Sequence, residues 1–403
     1  MKNIQNKTNL KNIAVLIDIY NPFGGASKAA ASYARHIRTL GYNTFIICNK
    51  LVRENNVPDD VFVLDSIYKC KCFLMNYDID FIHYFKSAIP LGYSSIFYKI
   101  NKAKEKESKN IKSIITVCQQ PSFPSTILTP YEIRHSEHII FIDKTAYNDP
   151  LYKFIPKCRK TWMYLINSKD MPINDEFEKL VKQEYSSDNE VIIFGRGSTL
   201  NKCPKDTIEV FDNINTNKEK RFIIIGVPES SNWLSNKLKQ REIDNIITYP
   251  LQTQLKYAEI VSTLDIFLYY LHENIYSSID GSLITAMRLG IPCVVYGPPA
   301  PKEMIIHGYN GYIANTKKEF KKYAELLAND TKQREIIGRN ARKYMTDEIP
   351  EINWKNAHVN IIKIVYNSRN ETNIKIPIAI SAKIYTKKYL HTIFRFLHKV
   401  FNQ

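Results

Sequence analysis

Short apolar runs alternate with longer stretches of helical period along most of this chain. Ile13 to Ile19 is the first such run and Thr44 to Cys48 the second. Val61 to Leu64, Phe81 to Tyr84, Ile114 to Val117 and Ile139 to Ile142 follow. Each is brief and apolar on both faces, the pattern of a strand buried in a parallel sheet with helices on either side. Between the first two runs, Asn21 to Gly25 is turn chemistry and Ser27 to Leu40 predicts a helix, with Gly41 as its stop signal.

The alternation breaks at Asn167 to Asn189, a polar and charged stretch containing Pro172, Ser186, Ser187 and Asp188, which predicts an interdomain hinge. A second series then begins. Its predicted strands are Val191 to Phe194, Phe222 to Ile225, Asn245 to Thr248, Ile266 to Tyr269 and Pro292 to Val295. Its predicted helices are Lys205 to Asn213, Gln252 to Leu264, Leu283 to Leu289 and Lys317 to Asn329. The pattern therefore predicts an α/β chain of two Rossmann-like domains facing each other across a cleft, with ligands at the carboxyl ends of the strands. The expected division is 1–180, 181–345, a helical crossover at 346–377 and a tail at 378–403.

Composition narrows the setting. Two domains of this size bury adequate cores without staples. The seven Cys residues form no framework, and Cys70 and Cys72 have no second pair at zinc spacing, so reduced thiols in a cytoplasmic protein are expected. No secretory signal opens the sequence, and no apolar run approaches the ~20 residues of a spanning helix. The net charge of +16 favours anionic partners. No zinc finger, RNP pair or clamp loop points to nucleic acid. The tail carries Lys383, Lys387, Lys388, Arg395 and Lys399 among aromatics and has no acidic residue. That combination suits an anionic membrane surface, such as the inner face of the plasma membrane, or a terminal helix packed on the protein with its basic side in water.

Three segments offer chemistry. Gly24 and Gly25 follow the first strand and open a helix, where backbone amides can meet an anion. Gly195 and Arg196 end the first strand of the second series, and Lys202 follows six residues after the Arg. Two cations there can stabilise a leaving diphosphate. The loop from Ser277 to Met287 runs into a helix that Asp280 or Ser282 can cap, with the amides of Gly281 and Ser282 directed at a phosphate. Asp78 and Asp80 imitate a metal-binding pair but precede a strand, and His135 and His138 lack carboxylates at metal spacing, so no metal is expected.

In order and spacing, these motifs resemble the retaining GT-B enzymes of glycosyltransferase family 4. The resemblance rests on Gly24-Gly25, on Asp80 and His83, on Gly195, Arg196 and Lys202, on the strand ending in Gly226, and on Tyr257, Ala258 and Asp265. It continues through Thr285 to Cys293 and the turn from Glu303 to Gly311. It covers about residues 12 to 345.

The family's paired glutamates, eight positions apart, fall here on Ser277 and Thr285, and Asp280 is the nearest carboxylate that can substitute. A family His is replaced by Cys118-Gln119-Gln120. The resemblance implies transfer of a sugar from a nucleotide-sugar, a UDP- or GDP-sugar, with retention and without metal or cofactor, and the basic tail suggests a glycan or lipid-linked acceptor in surface polysaccharide or glycoconjugate synthesis. It implies catalytic roles for Arg196 and Lys202. Gly24, Gly25, Gly195, Ser277, Asp280, Gly281, Ser282 and Thr285 would lie on the donor side, and His83, Gln119 and Gln120 on the acceptor side. The alternatives are a non-catalytic scaffold or partner of an active transferase, motivated by the missing glutamates, and a nucleotide-sugar epimerase of the same fold.

Overall fold

The computed structural model describes residues 10–22, 24–52, 60–87, 94–118, 126–165, 191–197, 202–227, 232–239, 245–273, 277–368 and 374–388. The chain forms two compact units, Met1–Asn167 with Ile352–Gln403, and Ser168–Glu351. The hinge expected at Asn167 to Asn189 lies wholly outside the described residues.

The first unit is built on a parallel sheet of β1 (Asn12–Tyr20), β2 (Asn43–Leu51), β3 (Val61–Val63), β4 (Phe81–Lys86), β5 (Lys112–Val117), β6 (His138–Phe141) and β7 (Lys160–Trp162). Their order is β3-β2-β1-β4-β5-β6-β7. The second unit repeats the plan with β8 (Val191–Arg196), β9 (Glu219–Ile225), β10 (Ile246–Tyr249), β11 (Ile266–Tyr270), β12 (Cys293–Tyr296) and β13 (Tyr312–Ile313), in the order β10-β9-β8-β11-β12-β13. β4 and β11 are buried along their whole length, as strands covered on both faces must be.

The same anchor recurs in both sheets. Asp80, just before β4, accepts from the amides of Lys11 and Asn12, each at 2.8 Å. Asp265, just before β11, accepts from the amide of Ile193 at 2.8 Å. Each carboxylate fastens the strand after the crossover to the first strand of its sheet. Asp80 thus serves the backbone, and the backbone carbonyl of Asp78 accepts from the Asn12 side chain.

The first core draws on the far end of the sequence. Ile374 and Ile384 are buried in it with Leu16, Ile82 and Phe97. Residues 378–388 are helical and Ile384 is buried, so the tail is packed on the protein at least that far, the second of its two expected readings, while 389–403 lie outside the described residues. Ile378 and Tyr385 remain exposed on this helix.

His83, expected on the acceptor side, is instead wholly buried within β4. Its Nε2 lies 2.8 Å from the Thr116 hydroxyl, which lies 3.0 Å from Nε2 of His358. His358 Nδ1 donates to the carbonyl of Trp354 at 2.8 Å, so its Nε2 accepts from Thr116, and Thr116 in turn accepts from His83. Both rings are neutral in this chain of bonds. Burial lowers His83 well below the usual imidazole value and brings His358 and His138 to about 4. Unfolded imidazoles protonate near ~6.5, so this stability is complete above that pH and is lost as pH falls toward 4. Asp18, raised to about 6 by burial, works in the opposite sense between its two pKa values but is one group against three. Stability is expected to fall by roughly 2–4 kcal/mol between pH 6.5 and 5. A melting temperature that does not change over that range contradicts this account.

Candidate functional site

β8 ends in Gly195 and Arg196, at the point where the strand order of the second sheet reverses. A side chain at Gly195 would collide with Leu264, and one at Gly197 would sit 1.9 Å from the Tyr257 hydroxyl. The glycines on either side of Arg196 are therefore dictated by packing, and they bring the strand end directly under Tyr257. Arg196 is 1 % exposed, and among the described residues none of its three guanidinium nitrogens has a hydrogen-bond partner. An arginine keeps its proton in a protein, so among the described residues this is a buried charge with no hydrogen-bonded counter-ion.

The other predicted cation comes to the same end of the sheet through the loop after β8. Lys202 Nζ lies 3.3 Å from Ser277 Oγ and 3.4 Å from an oxygen of Asp280. Tyr269, near the end of β11, is 1 % exposed and donates to that same carboxylate oxygen at 2.8 Å. Asp280 caps the Gly281–Arg288 helix. Burial, then the Asp280 carboxylate, keeps the Tyr269 and Tyr257 hydroxyls protonated, and the Arg196 charge works weakly against that on both. Lys202, Ser277, Tyr269 and Asp280 thus form one cluster, and the charge of Arg196, next to the glycine packed under Tyr257, is felt at both phenols.

Within that cluster two expectations change. The Ser282 amide, expected to face a phosphate, donates to Asp280 Oδ1 at 3.0 Å, and the Ser282 hydroxyl donates to the same oxygen. Thr285 turns its hydroxyl back to the carbonyl of Gly281 at 2.7 Å and is buried. A helix interior offers a threonine that acceptor before any ligand arrives. Gly281 keeps the expected role best, because a Cβ there would meet no atom within 4 Å. The helix is held in place from behind: Gly290 has φ +74°, and a Cβ on Gly338 would sit 2.0 Å from its carbonyl oxygen, so two backbones touch there.

Gly24 and Gly25 lie in the first unit, at the start of the Gly25–Thr39 helix. Gly24 donates to Asn21 O at 2.8 Å, and the space above Gly25 is open. Gln119 and Gln120 lie outside the described residues. Sequence reasoning missed Tyr257 as a site residue, although it had marked Tyr257-Ala258, and it missed Tyr269 altogether. Gly197, completing Gly-Arg-Gly, was the local signal for Tyr257. Among the described residues, no group of three or more His, Cys, Asp or Glu is placed to hold a metal, and no helix is long and apolar enough to cross a membrane.

With this geometry in view, comparisons with known proteins are informative. Residues 174–344 match the family model described as glycosyl transferases group 1. No curated protein matches the sequence significantly. Solved structures similar in fold include HepE from Anabaena in complex with UDP-glucose, 12% identical with a TM-score of 0.67, the match covering 88% of this chain and 99% of that one. Sucrose-phosphate synthase from Thermosynechococcus elongatus is 9% identical with a TM-score of 0.67, at 88% and 99% coverage. WaaG, a glycosyltransferase involved in lipopolysaccharide biosynthesis, is 13% identical with a TM-score of 0.61, at 87% and 99% coverage.

Proposed function

We propose that this chain, a GT-B protein whose residues 174–344 match the group 1 glycosyl transferases, moves a sugar from a nucleotide-sugar to a glycan or lipid-linked acceptor. The observation that carries the reading is Arg196, buried and, among the described residues, without a hydrogen-bond partner. A charge left uncompensated in the interior costs several kcal/mol, and a bound diphosphate removes that cost. When the bond between the anomeric carbon and the diphosphate oxygen breaks, negative charge grows on the leaving group. A fixed guanidinium in a dry site stabilises that charge without reorganising. Lys202 is held by contacts of 3.3 and 3.4 Å, long enough to be exchanged for phosphate oxygens. The open backbone at Gly281, at the positive end of its helix, completes the anion site.

The finer points follow from the resemblance. The two cations do electrostatically what a divalent ion does elsewhere, so transfer proceeds without metal and with retention. UDP is the first base to try, since HepE was solved with UDP-glucose. The acceptor belongs to surface glycan synthesis, and the basic segment 389–403 meets anionic lipid. Because Ile384 is part of the core, the tail is best tested by removing 389–403 alone. Loss of binding to anionic liposomes with an unchanged melting temperature is expected, and undiminished binding contradicts the membrane role.

Nucleotide binding has a direct test. A ligand that binds the native state at a hundredfold excess over its dissociation constant adds ~2.7 kcal/mol. UDP is expected to raise the melting temperature accordingly, and Arg196→Met to abolish the rise. No shift with UDP, GDP or ADP turns the reading toward a non-catalytic partner protein, which the Ser277 and Thr285 substitutions would then explain.

A further inference from the structure

We propose that the second unit carries a groove for a neutral saccharide, lined by residues other than those of the donor site and adjoining the loop that bears Lys202. The inference does not depend on the donor reading. The groove has a volume of about 740 Å3, within the range of small-molecule sites. It opens where β11 and β12 end, at Tyr270 and Tyr296. The amide of His272 contacts the carbonyl of Lys202 at 3.4 Å, so its wall is continuous with the loop bearing that lysine.

Its polar groups are held in position beforehand. The Tyr270 and Tyr296 rings stack with centroids 5.2 Å apart. The Tyr270 hydroxyl donates to Asp206, at 3.3 and 3.2 Å from its two oxygens, and Lys317 pairs with the same carboxylate. The Tyr296 hydroxyl donates to Glu273. Lys205 completes the set.

The charge balance selects the ligand. Asp206 and Glu273 oppose Lys205 and Lys317, so the lining is neutral overall. In the donor site, by contrast, Arg196 and Lys202 outnumber Asp280. A diphosphate gains no net attraction in the groove, and an apolar ligand would strip water from four charged groups. A saccharide suits it. It is uncharged, its hydroxyls both donate and accept, and its C–H faces pack on aromatic surface. Fixed carboxylates and ammonium groups bind such hydroxyls with charge-assisted hydrogen bonds.

The test uses the full chain and a panel of neutral oligosaccharides built from glucose, galactose, mannose or N-acetylhexosamine, with binding measured by titration calorimetry. Glu273 and Lys205 are exposed, so Glu273→Gln and Lys205→Ala are expected to leave the fold intact. At least one series is expected to bind the wild type, and both variants to weaken it about tenfold or more, the loss of one charge-assisted contact. The UDP-induced shift in melting temperature, measured on the same samples, is expected to stay the same. The proposal is overturned if no oligosaccharide in the panel binds, if both variants bind as the wild type does, or if they weaken UDP binding equally. A wild type that ignores UDP but binds the oligosaccharide would overturn the donor reading alone.

Discussion

Arg196→Met is expected to lower kcat/KM by about 10²–10³ while leaving the unliganded protein as stable as before, or more so. The rate loss is that of removing a fixed donor from a developing anion. The stability result has a different origin. Among the described residues the buried guanidinium has no hydrogen-bond partner, and exchanging a buried charge without a hydrogen-bonded counter-ion for an apolar side chain of similar reach relieves a cost. Most core substitutions destabilise, so activity and stability moving apart is a specific signature of a binding charge. Lys202→Ala is expected to reduce turnover too, with little change in melting, because its ammonium group is partly exposed and only loosely held. If Arg196→Met instead melted several degrees lower, the arginine would be a structural residue and the proposed diphosphate site would be lost.

The largest stability effect is expected in the first unit. Lys86 and Glu132 form an ion pair at 2.8 Å with side chains 0% and 2% exposed. Burial pushes the Glu132 carboxyl up, but Lys86 and Lys388 outweigh it and hold it below the ordinary value. Glu132→Gln preserves the shape and the cap it makes at Thr129 but leaves the buried Lys86 ammonium facing a neutral amide. Breaking one side of such a pair costs about 3–5 kcal/mol. The double variant Lys86→Met with Glu132→Gln is expected to recover much of that loss, since the stranded charge is gone. Chemical denaturation of the three proteins measures both quantities. A single variant that loses under 1 kcal/mol would show that the pair is not load-carrying in the native state.

This ion pair also shows where the sequence stopped being readable. The apolar run from Phe81 predicts a strand that ends near Tyr84, because a lysine resembles the start of a solvated loop. The strand continues to Lys86, since a glutamate 46 residues later makes burial of that lysine tolerable. The same extension places His83 in mid-strand, where its side chain is wholly buried. Central strands were legible because their two-sided burial demands unbroken apolar runs. The edge strands Lys160–Trp162 and Tyr312–Ile313 were not: the first mixes polar with apolar residues and the second spans two residues, whereas the equally short edge Val61–Val63 is apolar throughout and was legible.

In the site, Arg196 and Lys202 were visible as cations at a strand end. Their convergence with Ser277 and Asp280, some 75 positions further on, was visible through motif order. What Tyr269 does was not, because a tyrosine inside a buried strand resembles core until its hydroxyl is seen to reach Asp280. The groove beside Tyr270 was invisible for a related reason. Its residues come from four separate stretches, none of them with a motif of its own.

The second unit interrupts the first, whose core takes Ile374 and Ile384 from the end of the sequence. During synthesis the opening sheet is made early and must wait for its last side chains, while the later unit is already complete within the nascent chain. Order of manufacture and order of completion are therefore reversed. A ribosome that stalls after Glu351 releases a finished second half attached to an unfinished first, with the apolar surface meant for those isoleucines open to chaperones or to aggregation.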